Sequence, residues 1–245
     1  MCNRPMADEG GLCQESQSSW FSAAALDQIR AYLRIHVTVD CAGMEAESKG
    51  DYTVLTTAGF DRDGRCYVLD IRRGHFTPTE VIWHIFDLHR IMKPIDIKIE
   101  KEAHARVLAH FLAREMEKKQ VFPNIVPLKR DTRTSKVQRI KGLQSWFASK
   151  ILRFYDGIGP KTDLVREIVE FPSSSHDDIM DTIADHMQNR DGGINYDVIP
   201  ATHEDPAGWI KPTGTSPVDL MIYQAQQRWA ESSGESSSYD RMTGI

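Results

Sequence analysis

Two carboxylates close runs of alternating apolar residues. Asp40 follows Ile35, Val37 and Val39, and Glu100 follows Ile95, Ile97 and Ile99. A denser group stands between His176 and Asp185, where Asp177, Asp178, Asp181 and Asp185 share one stretch. The last three are spaced i, i+3 and i+7, which on a helix places them within about 60° of one another, with Ile179, Ile183 and Met187 on the opposite side. Acids in a first helical turn also complement the helix dipole, and Ser174 or Ser175 would cap such a helix, so a solvated acidic face is the plainer reading. Like charges held close repel and raise one another's pKa, however, and converging carboxylate oxygens are what a hard cation such as Mg²⁺ or Mn²⁺ requires. In phosphodiester hydrolysis two such ions, about 3.5–4 Å apart, activate a water and stabilise the leaving oxygen. Asp40, Glu100, Asp177, Asp178 and Asp181 form a set able to hold them.

The complementary charge lies in one segment. The chain has 245 residues and a net charge of −5, which argues against a surface that is basic throughout. From Lys129 to Arg153, however, eight basic residues oppose Asp131 alone, a net of +7. Lys136 and Arg139 stand one helical turn apart in this segment, a spacing suited to the phosphate backbone of a nucleic acid without regard to sequence. A solvated helix face is the alternative for the same residues.

Other candidates carry less. Cys2, Cys13, Cys41 and Cys66 have no C-x-x-C spacing and fit neither a disulfide framework nor a zinc ribbon. Asp51 precedes a strand and reads as a turn residue, and His176 reads as a local hydrogen-bond partner of the acids beside it. Trp20, Trp83 and Trp146 occupy apolar helical positions and are expected in the core. No run approaches 18 consecutive apolar residues, and Met1 to Ser19 has no apolar h-region, so neither a membrane span nor a secretory signal is expected. A soluble intracellular protein is the expectation.

The elements that must position these residues follow from periodicity. Trp20 to Tyr32 reads as a helix, followed by a strand ending at Asp40. Tyr52 to Phe60 and Arg65 to Ile71 read as two strands joined by the turn Asp61-Arg62-Asp63-Gly64, completing an antiparallel meander. Thr77 and Pro78 open a helix running to Met92. The strand ending at Glu100 comes next, then a helix from Ala103 to Lys118 and a short strand near Asn124 to Leu128. Ser135 to Ala148 reads as a helix, Ile151 to Tyr155 as a strand, and Lys161 to Val169 and His176 to Met187 as helices. Strands alternating with helices after an antiparallel start imply a mixed α/β sheet covered by helices. Parallel pairing of the strands that end at Asp40 and Glu100 would bring both acids to one sheet edge. The chain then divides into an arm at 1–19, one domain at 20–190, and a tail at 191–245 rich in Gly, Pro and Ser with at most one helix, Pro217 to Ala230.

Several phrases in this order resemble a known family. They are Val39-Asp40-Cys41-Ala42, Gly50-Asp51-Tyr52-Thr53-Val54, Tyr67-Val68-Leu69-Asp70, Ile97-Lys98-Ile99-Glu100, Lys136 with Arg139-Ile140, and Phe171-Pro172 ahead of His176-Asp177-Asp178 and Asp181. Together, over about Ile35 to Gln188, they look like the C-terminal nuclease domain of the large terminase subunit of tailed bacteriophages. The resemblance implies a ribonuclease H-like mixed β-sheet flanked by α-helices, and a metal-dependent endonuclease that cuts double-stranded viral DNA with little sequence specificity during genome packaging. It implies catalytic Asp40, Glu100 and Asp178 and two Mg²⁺ or Mn²⁺ ions, leaving open whether Asp177 or Asp181 shares the ligation. It further implies other terminase subunits and a portal as partners, and the host cytoplasm as the location. The chain departs from the family in lacking a G-x-x-x-x-G-K-[ST] motif; Gly157 to Thr162 has the wrong spacing, so ATP hydrolysis by that route is not expected, and the chain is either an excised or separately encoded nuclease domain or one whose motor half was lost. A junction resolvase of the same fold, or a non-catalytic docking module of a packaging motor, are the alternatives.

Overall fold

The computed structural model describes residues 11–41, 52–100, 103–128, 130 and 133–188. Asp51 and the tail with its expected helix at Pro217 to Ala230 lie outside these. The elements in chain order are β1 (Ser19–Phe21), α1 (Ala23–Ile29), β2 (Arg34–Asp40), β3 (Thr53–Phe60), β4 (Cys66–Gly74), α2 (Pro78–Met92), β5 (Asp96–Ile99), α3 (Ala103–Lys119), β6 (Ile125–Pro127), α4 (Lys136–Lys141), α5 (Gln144–Ala148), β7 (Leu152–Tyr155), α6 (Lys161–Glu170) and α7 (Asp178–Gln188).

The strands form one mixed sheet of seven, in the order β1-β7-β4-β3-β2-β5-β6. β2, β3 and β4 are the antiparallel meander. β5 joins β2 in parallel and β6 joins β5 in parallel, while on the other side β7 runs parallel to β4 and to β1. Helices cover both faces, giving the mixed α/β sheet flanked by helices that the resemblance implies. One core packs Val37, Val39 and Leu55 against Val81, Ile85 and Leu88 of α2 and Leu108, Leu112 and Met116 of α3. A second packs Val54, Ala58 and Val68 against Ile140 of α4, Phe147 of α5, Ile168 of α6, and Ile179 and Ile183 of α7, and a smaller third gathers Ile35, Tyr67 and Leu69. β3 is buried along its whole length, because helices lie on both of its faces.

Local chemistry explains most of the elements. Thr77 caps α2 by accepting from the Glu80 amide while Glu80 bonds back to the Thr77 amide, and Pro78 occupies the first turn. Lys93 at φ 50° stops the helix in the left-handed conformation. Three expectations change. The stretch from Trp20 to Tyr32 is not one helix: its start is strand β1, drawn into parallel pairing by β7, with Trp20 opposite Phe154. Ser135 to Ala148 splits into α4 and α5 at Gly142-Leu143, a tightened turn that lets Ile140, Leu143 and Phe147 all enter one core. Trp83 is 60% exposed instead of buried, since Val81, Ile82, Ile85 and Leu88 form the inward stripe of α2 and Trp83 stands on its far side. Trp20 and Trp146 do pack, half-buried, against the second core.

Candidate active site

The strand-end acids are brought together by sheet register. β2 and β5 pair with Val37 opposite Ile97 and Val39 opposite Ile99, and the Glu100 amide donates to the Val39 carbonyl at 3.4 Å. Asp40 and Glu100 therefore sit at the carboxyl ends of adjacent parallel strands, where α/β sheets gather their sites. Alternation along β2 decides which way Asp40 faces. Val37 and Val39 enter the core under α2 and α3, so His36, Thr38 and Asp40 face the other side, where α7 lies. The Thr38 hydroxyl, 3.3 Å from His186 Nδ1, marks this contact.

α7 is docked by two buried polar groups. The His186 ring lies 3.1 Å from the Thr56 carbonyl oxygen and 2.9 Å from the Thr56 hydroxyl through Nε2. A carbonyl can only accept, so Nε2 carries the proton and Nδ1 accepts from Thr38. Burial, together with the charges of Lys98 and His36, pushes the pKa of His186 down to about 3 against the Thr56 hydrogen bond, keeping the ring neutral. At the other end of the helix, Glu167 of α6 accepts from the Met180 amide at 3.0 Å, satisfying a first-turn donor. The Asp177 carbonyl accepts from the Asp181 amide at 2.9 Å, which places Asp177 at the cap just ahead of α7.

Asp181 and Asp185, one turn apart on α7, are thereby turned toward Asp40, and their side chains are 3% and 0% exposed. All these acids meet at one cation. The Arg130 guanidinium donates to Asp185 from Nε, at 3.1 Å to each oxygen, and from Nη2 at 2.7 Å. Nη2 also reaches Asp40 Oδ2 at 3.3 Å and Asp181 Oδ2 at 3.5 Å, and Nη1 donates to Glu100. Burial works against the charge of Arg130, but the Asp185, Glu100 and Asp181 carboxylates outweigh it and hold its pKa above the ordinary value. Burial raises Asp185 to about 6, with Asp181 adding to the shift and Arg130 and Arg139 opposing it. Buried Cys41 beside Asp40 and Glu100 is likewise pushed up and remains a thiol.

Lys136 and Arg139 are engaged with the same acids. Lys136 Nζ lies 2.6 Å from Asp177 and 3.3 Å from Asp178, and its side chain is 40% exposed. Arg139 donates to both oxygens of Asp181 at 2.7 and 3.0 Å, and its side chain is only 8% exposed. Asp178 is raised by burial, with Lys136 opposing the shift. His176 Nδ1 stands 3.9 Å from Asp178, with its ring edge-on to Tyr52. The structure thus gathers Asp40, Glu100, Asp181 and Asp185 around Arg130, with Asp177 and Asp178 one turn outward around Lys136. Arg130 and Asp185 are the members that sequence reasoning left out of the site. Asp185 shared the acidic sector of the helix wheel, whereas Arg130 was one of eight basic residues with nothing to single it out.

The donors around Arg130 are carboxylate oxygens, the set a hard divalent cation takes, and three of them already reach a single cationic nitrogen. The residues therefore fit such an ion in kind and number. Among the described residues no three acids, histidines or cysteines surround a point in the manner of metal ligands. The centre of the four acids is where the guanidinium sits.

No protein-family model matches the sequence, and no curated protein does. Among solved structures, the chain is similar to the human cytomegalovirus terminase nuclease domain, with 12% identity, a TM-score of 0.46, and coverage of 65% of this chain and 83% of that one. It is similar to the large terminase nuclease of the thermophilic phage G20c with bound zinc, at 17% identity and a TM-score of 0.43, covering 64% and 81%. It is also similar to the yeast mitochondrial Holliday junction resolvase Ydc2, at 13% identity and a TM-score of 0.41, covering 85% and 88%.

Proposed function

We propose that this chain is a divalent-metal-dependent endonuclease that cuts double-stranded DNA with little sequence preference, the nuclease part of a genome-packaging machine. One observation carries the reading: Asp40, Glu100, Asp181 and Asp185, from two strand ends and a helix, converge on a single cationic group. Asp40, Glu100 and Asp181 would hold the ions, with Asp178, and Asp177 beside it, closing the outer end of the site. When bound, two Mg²⁺ or Mn²⁺ ions supply an activated water and stabilise the leaving oxygen.

The chain's own part is preorganisation. β2 and β5 present two carboxylates side by side at the sheet edge, and the His186 and Glu167 contacts set the angle at which α7 delivers the others. Lys136, half-buried at the rim, would meet a backbone phosphate once Asp177 and Asp178 face an ion. The sequence resemblance supplies the packaging context, with other terminase subunits and a portal as partners in the host cytoplasm.

The test is nicking of supercoiled plasmid in Mn²⁺ and in Mg²⁺ by the full chain and by Asp40→Asn and Glu100→Gln, each checked for folding by circular dichroism. Cleavage by the parent in either metal, lost in both variants and in chelator, is the expected outcome. A parent that binds DNA and cuts nothing would leave a docking module whose acids serve the basic residues around them, Arg130, Arg139 and Lys136. Preference for four-way junctions over linear duplex would instead favour a resolvase.

A further inference from the structure

Arg130 occupies the point on which the four carboxylates converge, and its manner of attachment points to more than charge balance. We infer that Arg130 and the divalent ions are alternative occupants of one site, Asp185 being the anchor that seats the guanidinium and a DNA phosphate the group that draws it out. The inference rests on the nuclease reading above and deepens it.

The contacts divide into a grip and a reach. Asp185, whose side chain is 0% exposed, takes Nε on both oxygens at 3.1 Å and Nη2 at 2.7 Å, a fork no other acid of the site makes with Arg130 among the contacts described. With that grip at the buried end, the remaining donors extend to Asp40, Asp181 and Glu100. Those three are the acids proposed to hold metal. A Mg²⁺ ion requires its oxygens at about 2.0–2.1 Å in near-ideal octahedral geometry, which the same oxygens cannot give while turned to a planar guanidinium. Two cations on one set of oxygens would also repel each other. Either occupant offsets carboxylate charge at the same oxygens; both together do not fit.

Withdrawal of Arg130 is structurally cheap. It lies between β6 and α4 and belongs to neither, so moving its side chain breaks no ladder or helix. Asp185 does not lose all compensation, because Arg139 Nε stands 3.9 Å away, buried and without a hydrogen-bond partner among the described residues. The departing guanidinium needs a new anion, and a phosphodiester offers it the paired oxygens of a carboxylate. Duplex DNA at the site would then favour the arginine-out state and so favour metal entry. Metal loading becomes coupled to substrate, and apparent metal affinity without DNA falls to the intrinsic value multiplied by the fraction of molecules with Arg130 withdrawn.

The experiment is calorimetric titration of Mn²⁺, and of Ca²⁺ as an ion that does not support cutting, into the full chain with and without a short duplex. The proteins are the parent, Arg130→Gln and Arg130→Lys. The parent is expected to bind metal weakly alone and at least about tenfold more tightly with duplex, as when no more than roughly a tenth of molecules have the arginine out. Arg130→Gln is expected to bind tightly from the start and gain little from duplex. Arg130→Lys keeps the charge but cannot make the fork, so it too binds more tightly than the parent, by a smaller factor; it carries the test if Arg130→Gln fails to fold. Metal affinity unchanged in Arg130→Lys, or a duplex effect that persists in Arg130→Gln, would overturn the inference while leaving the nuclease reading intact. Absence of metal binding by every form, with no plasmid cleavage by the parent, would overturn the nuclease reading and this inference with it.

Discussion

Arg139 and Lys136 are both basic, one turn apart, and paired with aspartates, yet burial gives them different work. Arg139 is 8% exposed and holds Asp181, itself 3% exposed, through two hydrogen bonds. Removing Arg139 leaves buried Asp181 with only the longer contact to Arg130 among those described, so Arg139→Ala is expected to destabilise the fold by about 3 kcal/mol. Urea denaturation should show this as a lower midpoint at unchanged slope. Lys136, at 40% exposed, contributes less than about 1 kcal/mol through its ion pairs. The effect of Lys136→Ala should appear in DNA binding, as a salt dependence shallower by about one phosphate contact and nearly equal for all sequences. A large loss of stability in Lys136→Ala, or none in Arg139→Ala, would reverse the assignment.

At the scale of elements the site depends on how α7 docks against β2 and β3, and two buried titratable groups make that docking pH-sensitive in opposite senses. His186 has its pKa pushed down to about 3 by burial, so the unfolded chain takes up a proton near pH 6.5 that the folded chain refuses. Its contribution is complete above pH 6.5 and is lost as pH falls toward 3. Glu167 has its pKa pushed up to about 7, chiefly by burial, with the Met180 amide and Arg73 opposing the shift and Asp178 and Asp177 adding to it. Its folded form keeps a proton that the unfolded form releases near pH 4.5, so its contribution is largest below 4.5 and declines as pH rises to 7. Between pH 7 and 4.5 the unfolded chain gains a proton at His186 while the folded chain gains one at Glu167, so the two slopes partly cancel in the parent. Relative to the parent, His186→Gln should therefore gain more stability on acidification across this window, and Glu167→Gln less, the raised Asp185 acting equally in both. Urea midpoints at several pH values would read both slopes, and parallel profiles in the two variants would contradict this account of the docking.

For the whole molecule, the cost of gathering acids at one edge is offset by cations drawn from a net-acidic chain's one basic segment. A ligand that binds only the folded state stabilises it by mass action, about 2.7 kcal/mol at a hundred times its dissociation constant. For a chain of this size that corresponds to a rise in Tm of about 5–10 °C. Saturating Mn²⁺ should produce such a rise and chelator should reverse it, whereas a variant carrying Asp40→Asn, Glu100→Gln and Asp181→Asn together should show neither. Scanning calorimetry of parent and variant settles the point, and an equal rise in both would place the bound metal elsewhere.

Periodicity is a local property, and what depends on it was legible in the sequence. The alternation before Asp40 and Glu100 marked β2 and β5 and put an acid at the end of each, and the i, i+3, i+7 spacing of Asp178, Asp181 and Asp185 marked the acidic face of α7. Thr77-Pro78 announced α2 because caps act within one turn. β1 was hidden because three residues carry no period, and only its partner β7, more than a hundred residues later, makes Ser19–Phe21 a strand. The burial of Arg139 against α7 and the exposure of Trp83 on α2 follow from which side of each helix the fold covers, which composition does not encode. Arg130 is the clearest case. Its partners lie 30, 55 and 90 residues away at Glu100, Asp185 and Asp40, and nothing local distinguishes it from the other basic residues of its segment. Charge attraction supplies the sign of an ion pair, but only the convergence of β2, β5 and α7 in space chooses the partner, because the energy depends on distance and burial and not on separation along the chain.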